Sequence, residues 1–273
     1  PVHAATFVVN TTADTDDANQ GDGTCADSSG NCSLRAAISE ANALAGADVI
    51  TLPAGIYTLT LIGHSEDNNA TGDLDLTSDI TINGAGASDT VIDGNQIDRV
   101  LHVVSGVTVE LNDLTITNGL APNSDTVHCR GGGVYNGSGT LTIRDSIVSD
   151  NTSGSYSTGG CDGGGLYIGS GSTLIERSDI RGNTAGDGLG SSSFGGDGGG
   201  ISHVSGGTVT ISSSIIRDNR SGNGIGIDGA GGGVHFNGSA MTIENSTISG
   251  NAAKGFGGGI RNQSTSNSVT LIH

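Results

Sequence analysis

Two acidic residues, a histidine and an arginine stand where a polymer-cleaving enzyme would need them. Asp162 and Asp197 each immediately precede a run of three glycines, and His235 and Arg261 each lie one residue beyond the aliphatic residue that follows such a run. Two carboxyls about 5 Å apart suit acid and nucleophile roles in glycoside hydrolysis, and the same pair can share a calcium ion. Arg130, before an earlier glycine run, can instead pair with Asp162 as a plain ion pair. Tyr135, Tyr167 and Ser202 share the position of His235 and Arg261. Strand alternation points that position outward, where tyrosine, histidine and arginine can stack on and hydrogen-bond a sugar chain, or where a base can serve β-elimination. An ordinary exposed strand surface fits the same residues.

Oxygen ligands cluster twice more. Asp14, Asp16, Asp17 and Asp22 fall in one loop, and Asp73 and Asp75 flank Leu74. Calcium is the cofactor such oxygen-rich loops suit, although no complete EF-hand pattern is present, and a solvated acidic loop explains them equally. The four cysteines divide into Cys25 with Cys32 and Cys129 with Cys161. No Cys-x-x-Cys spacing occurs, so disulfides are favoured over zinc or thiol chemistry.

The elements that position these groups emerge from a repeat. Glycine triplets begin at 131, 163, 198, 231 and 257, and each is followed by one aliphatic residue: Val134, Leu166, Ile201, Val234 and Ile260. In phase with them, Asn151, Asn183, Asn219 and Asn251 each lie three residues after an aliphatic residue. Alternating runs such as Thr140 to Ile143 and Thr208 to Ile211 separate the two markers and carry the period of a half-buried strand. A unit of roughly 33 residues without helical periodicity cannot bury its own apolar face, so units must stack. The expected fold is all-β, a right-handed parallel β-helix in which residues one repeat apart become vertical neighbours about 4.8 Å apart. Cys129 and Cys161, like Asp162 and Asp197, should then be adjacent, and the asparagines should form an internal amide ladder.

Residues 1–46 differ: a strand at Thr6 to Val9, the acidic loop, and a short amphipathic helix. Ser33 is a good N-cap, Leu34, Ala37, Ile38, Ala41, Leu44 and Ala45 share a face, and Gly46 is a natural stop. Such a helix would cover the open end of the solenoid. The β-helix is expected over 47–273, with irregular coils first and regular ones from about 105. Thr270 to His273 falls inside a further strand, as in a chain cut within a coil.

The run Cys32-Ser33-Leu34-Arg35-Ala36-Ala37-Ile38, followed by Glu40-Ala41-Asn42, resembles the CSLREA domain that opens many secreted bacterial β-helix proteins. The repeats resemble those of polymorphic outer-membrane proteins, within the wider pectin-lyase-like superfamily. Ala36 departs from that pattern, which usually has Glu there. The resemblance implies the same fold and export from the cell. It leaves function open among adhesins, surface proteins, polysaccharide lyases and glycosidases.

Composition narrows the partners. A net charge of −18 with only ten basic residues excludes the Lys/Arg patch that nucleic acid or an anionic membrane surface requires. No apolar run is long enough for membrane insertion as a helix. Pro1 to Ala5 ends in the small-x-small pattern of a signal-peptide tail, and the even cysteine count suits a secreted or cell-surface location. The expected partner is extracellular polysaccharide, engaged by a binding module, by a glycoside hydrolase or polysaccharide lyase on the same scaffold, or not at all if the chain is a structural adhesin segment. The absence of Trp, and only four Tyr and four Phe, weakens the first two readings.

Overall fold

The structure, a computed structural model, describes residues 4–123, 128–264 and 267–273. Pro1, Val2 and His3, part of the signal-like segment, lie outside the described residues.

Three parallel sheets run the length of the molecule, and the chain visits them in turn in each coil. Among the described residues the first sheet has nine strands, including Thr108–Asn112, Thr140–Arg144, Ser172–Glu176 and Thr208–Ser212. The second has seven, among them Thr115–Thr117, Ile147–Ser149 and Asp179–Arg181. The third, also seven-stranded, runs from Leu74–Leu76 through Leu101–Val103, Val134–Asn136, Leu166–Ile168, Ile201–His203 and Val234–Phe236 to Ile260–Asn262. This is the right-handed parallel β-helix expected from the repeat. Its strands are already regular at Ala47–Thr51, well before residue 105.

One face of each strand fills the lumen. Val109, Leu111, Ile143, Ile175 and Ile211 from the first sheet meet Ile116, Val148 and Ile180 from the second and Val134, Leu166 and Ile201 from the third, all fully buried. The core is thin, so few aromatic residues are needed to fill it.

Each corner has its own device. Between the first and second sheets, Asp113, Asp145, Arg177, Ser213 and Asn245 take left-handed backbone conformations, the turn needed to change sheets in a single step. A serine column follows: the backbone N–H of Ser146 donates to Ser178 Oγ at 3.2 Å, and those of Ser178 and Ser214 donate to the next serine at 3.1 Å each. After the second sheet comes the asparagine ladder. Asn151 Nδ2 donates to Asn183 Oδ1 at 3.0 Å, Asn183 to Asn219 at 3.0 Å, and Asn219 to Asn251 at 2.9 Å. Each Oδ1 also accepts the backbone N–H of the asparagine above it, so the ladder closes the turn that the main chain leaves open.

The N-terminal helix spans Leu34–Ala43, capped by Ser33, whose side chain accepts the Ala36 N–H. It is not amphipathic in effect: Leu34 through Ala41 are all buried, between the core and the acidic loop. Two charged residues on its outer side explain this. Arg35 donates to Asp14 and to the carbonyls of Asn69, Gly72 and Asp73, while Glu40 accepts the N–H groups of Gly21 and Gly23. The loop is thereby clamped over the cap. At the opposite end the lumen opens on a cavity of about 420 Å³ between Ile243, Ile248, Ile260 and Leu271. Among the described residues no helix is long and apolar enough to cross a membrane.

The ladder yields a stability test. Asn183→Ala strands the buried Asn151 donors, at about 1–3 kcal/mol for each group left without a partner. Urea denaturation should show a clearly lower midpoint for this variant, whereas an unchanged midpoint would mean the ladder contributes nothing.

Candidate functional site

Between the second and third sheets the chain makes long loops rich in glycine, and these fold back over the third sheet. A continuous run of backbone hydrogen bonds ties them together, reinforced by side chains such as Ser153, which donates to Cys161 O and accepts the Gly186 N–H, and Ser221, which donates to Gly229 O. Gly154 N–H donates to Cys129 O, Cys161 to Gly154, Gly186 to Cys161, Gly196 to Gly186, Gly222 to Gly196, Gly229 to Gly222 and Gly255 to Gly229, at 2.7 to 3.2 Å. A Cβ on Gly186 would lie 1.8 Å from Gly154 O, so the strands of this loop layer approach closer than any other residue permits. A disulfide joins Cys129 to Cys161 within the layer, with Cα atoms 5.8 Å apart, and a second joins Cys25 to Cys32.

Beneath the loops runs the outward column of the third sheet. In-register pairing sets Asp75 beside His102, then Tyr135, Tyr167, Ser202, His235 and Arg261 in succession. The column is less exposed than alternation alone implies, because Tyr167, Ser202 and His235 are buried by the loops. Tyr135 and Tyr167 stack with ring centres 5.1 Å apart, and His102 meets Tyr135 edge-on at 5.2 Å. Arg130 lies over the Tyr167 ring and donates to its hydroxyl at 3.0 Å. Burial pushes the Tyr167 phenol up to about 12, so it remains neutral. The aromatic pair is therefore spent on internal packing.

Asp162 and Asp197 are vertical neighbours, as the repeat requires. Asp162 accepts the Asp197 N–H at 2.8 Å and Asp197 accepts the Ala230 N–H at 2.6 Å, so each carboxylate stitches its coil to the next. Desolvation raises the Asp162 carboxyl above the usual range, opposed by that N–H bond. Asp197 also approaches His235 Nε2 at 3.4 Å; the same nitrogen meets Gln263 Oε1 at 2.8 Å, and His235 Nδ1 lies 3.4 Å from Ser202 Oγ. A Ser-His-Asp row results, but Ser202 is wholly enclosed and no polymer can reach its hydroxyl. The row orients Asp197 and Gln263 instead.

Those two residues line an open cleft of about 280 Å³ with Phe194, Ile227, Asp228, Phe256 and Arg261. Phe194, Ile227 and Phe256 are more than half exposed, and the Arg261 guanidinium sits 4.9 Å from the Phe256 ring centre. Phe256 precedes a glycine triplet, in the same column as Asp162 and Asp197, but the exposure of Phe194 and Ile227 depends on how the loops fold.

The proposed calcium ligands are dispersed. Asp14 binds Arg35 and the N–H groups of Thr60 and Leu61, Asp16 accepts from Ser39 and the Asp17 N–H, Asp17 accepts from the Asn19 and Ala26 N–H groups, and Asp22 accepts from the Thr24 N–H. These carboxylates are engaged in building the loop, each with donors of its own. Asp73 is likewise paired with buried Arg99. Asp75 is not: its Oδ1 lies 3.0 Å from His102 Nδ1, which is also 3.4 Å from Asp67 Oδ1. His102 belongs to the same column as Tyr135, one coil earlier, so extending the column backwards from Val134-Tyr135 to Leu101-His102 is the signal that locates it.

No family model matches this chain, and no curated protein or solved structure matches it either.

Next to Asp73, Asp98 is pushed up to about 7, first by burial and then by the Asp73 charge. The folded protein thus holds this proton up to about pH 7, while the unfolded chain releases it near pH 3.9. Stability from this group is present at low pH and is lost as pH rises between those values, by at most about 1.4 kcal/mol per pH unit. Denaturation midpoints measured from pH 5 to 8 should fall less steeply in Asp98→Asn than in the parent; equal slopes would contradict the assignment.

Proposed function

We propose that this protein is a secreted or cell-surface β-helix module that engages extracellular polysaccharide in the cleft between Phe194, Phe256 and Arg261. The observation that carries the reading is the exposed pair of phenylalanines set beside polar groups that are already oriented. Sugar rings present apolar C–H faces and a rim of hydroxyls, so they need a flat aromatic surface together with fixed donors and acceptors. Phe194 and Phe256 offer the surface, Arg261 the donors, and Asp197, Asp228 and Gln263 the acceptors. Two disulfides support an oxidising, extracellular setting.

The two carboxylates and single arginine of the cleft favour a neutral polysaccharide over one of uronic acids. A charged polymer would meet Asp197 and Asp228 as well as the overall charge of −18.

A second reading, catalysis on the same scaffold, rests on the Asp162 and Asp197 pair. Desolvation keeps a proton on Asp162 to higher pH than usual, while Asp197 faces the cleft, the arrangement in which one carboxyl acts as acid and its neighbour as carboxylate.

Affinity electrophoresis against neutral and acidic polysaccharides separates these cases when reducing ends and unsaturated products are followed in the same samples. Retardation by a neutral polymer is expected, with Phe194→Ala and Phe256→Ala each weakening it roughly tenfold, or about 1.4 kcal/mol. Undiminished binding by the double variant would refute the cleft. Release of reducing ends that disappears in Asp162→Ala and Asp197→Ala would establish the hydrolase.

A further inference from the structure

At the other end of the same column, Asp67, Asp75 and His102 bring one ligand atom each to within 4.8 Å of one another. We propose that these three side chains bind a single divalent transition-metal ion, with zinc the best match. The inference does not rest on the carbohydrate reading, since the cluster lies several coils from the phenylalanine cleft.

The fold builds the site on rigid supports. Asp75 and His102 face each other across adjacent strands in exact register. The Asn69 N–H donates to Asp75 Oδ2 at 2.9 Å, which leaves Oδ1 directed at the imidazole. The edge contact with Tyr135 fixes the His102 ring from below. Asp67 arrives from the loop that Glu66 organises by accepting the N–H groups of Asn68 and Thr71.

Distances agree with one shared ion. Zinc bonds of about 2.0–2.2 Å to nitrogen and oxygen place tetrahedral ligand atoms about 3.3–3.6 Å apart, and octahedral ones about 3 Å apart. The separations of His102 Nδ1 from Asp67 and Asp75 are 3.4 and 3.0 Å. An imidazole among the donors argues against calcium, which takes six to eight oxygens.

Charge points the same way. Asp73, Asp75 and Asp98 gather around the Arg99 guanidinium, and Asp67 adds a further carboxylate at His102. One buried oxygen of Asp73 and one of Asp98 have no hydrogen-bond partner among the described residues, and carboxyl groups outnumber the cations packed around the site. Entry is open as well: Asp67 also lines a polar groove of about 260 Å³ with Gln20, Ser39, Asn42, Asn68 and Thr77. Three protein ligands beside a solvent groove leave a coordination position for water or for a small oxyanion.

Isothermal titration of zinc chloride into chelator-treated full-length protein tests the site. One equivalent should bind, and Asp67→Asn and His102→Gln should each weaken binding at least tenfold, while Asp22→Asn leaves it unchanged. Asp67 is largely exposed, so its variant keeps the fold, which circular dichroism verifies. Anomalous scattering at the zinc edge should then place the ion between the three side chains. Absence of uptake, uptake undiminished in both ligand variants, or displacement of zinc by equimolar calcium would each overturn the assignment.

Discussion

Backbone hydrogen bonding along one axis is the constraint on which the rest of this molecule depends. Every coil must present N–H and C=O groups to the coils above and below at about 4.8 Å, and any segment that cannot do so leaves unpaired polar groups in a water-poor interior. The sheets meet the requirement in the ordinary way. The loops meet it too, through a continuous chain of bonds from Cys129 by way of Gly186 to Gly255, and glycine is the residue that allows such close approach. The abundance of glycine is thus a packing requirement of the loops, not a mark of flexibility.

Two consequences follow for the side chains. Residues one coil apart are forced into columns, which turns isolated asparagines and serines into ladders and lets Asp162 and Asp197 cap the next coil's N–H. Loops tied down by their own backbone also act as a roof, which withdraws Tyr167, Ser202 and His235 from solvent and leaves contact with ligands to the margins. One margin is apolar, with Phe194 and Phe256; the other is acidic, with Asp67 and Asp75. Both belong to a single column of the third sheet or to the loops beside it.

Period and phase made the architecture legible from residues alone: the glycine triplets, the asparagine ladder, the Cys129–Cys161 bridge and the vertical pairing of Asp162 with Asp197 all follow from counting. The site was legible only in part. Exposure of the tyrosine and histidine positions was not, since alternation describes a strand and carries no information about what folds over it. Asp14, Asp16, Asp17 and Asp22 share a loop, yet each is drawn to different donors: Asp14 and Asp16 to Arg35 and Ser39 of the helix, Asp17 and Asp22 to N–H groups of the loop itself. The strand Leu74–Leu76 is too short to announce itself with Asp75 at its centre and Asp73 before it, and without it neither the head of the column nor the partnership of Asp75 with His102 can be found.

Amide hydrogen exchange tests the roof most directly. If backbone bonds carry the loop layer, the amides of Gly186, Gly196, Gly222 and Gly229 should exchange as slowly as those of the neighbouring sheets, orders of magnitude slower than open loop segments. Exchange of these glycines at the rate of an unstructured chain would show that the loops are not stacked, and the cleft and the covered column would lose their basis.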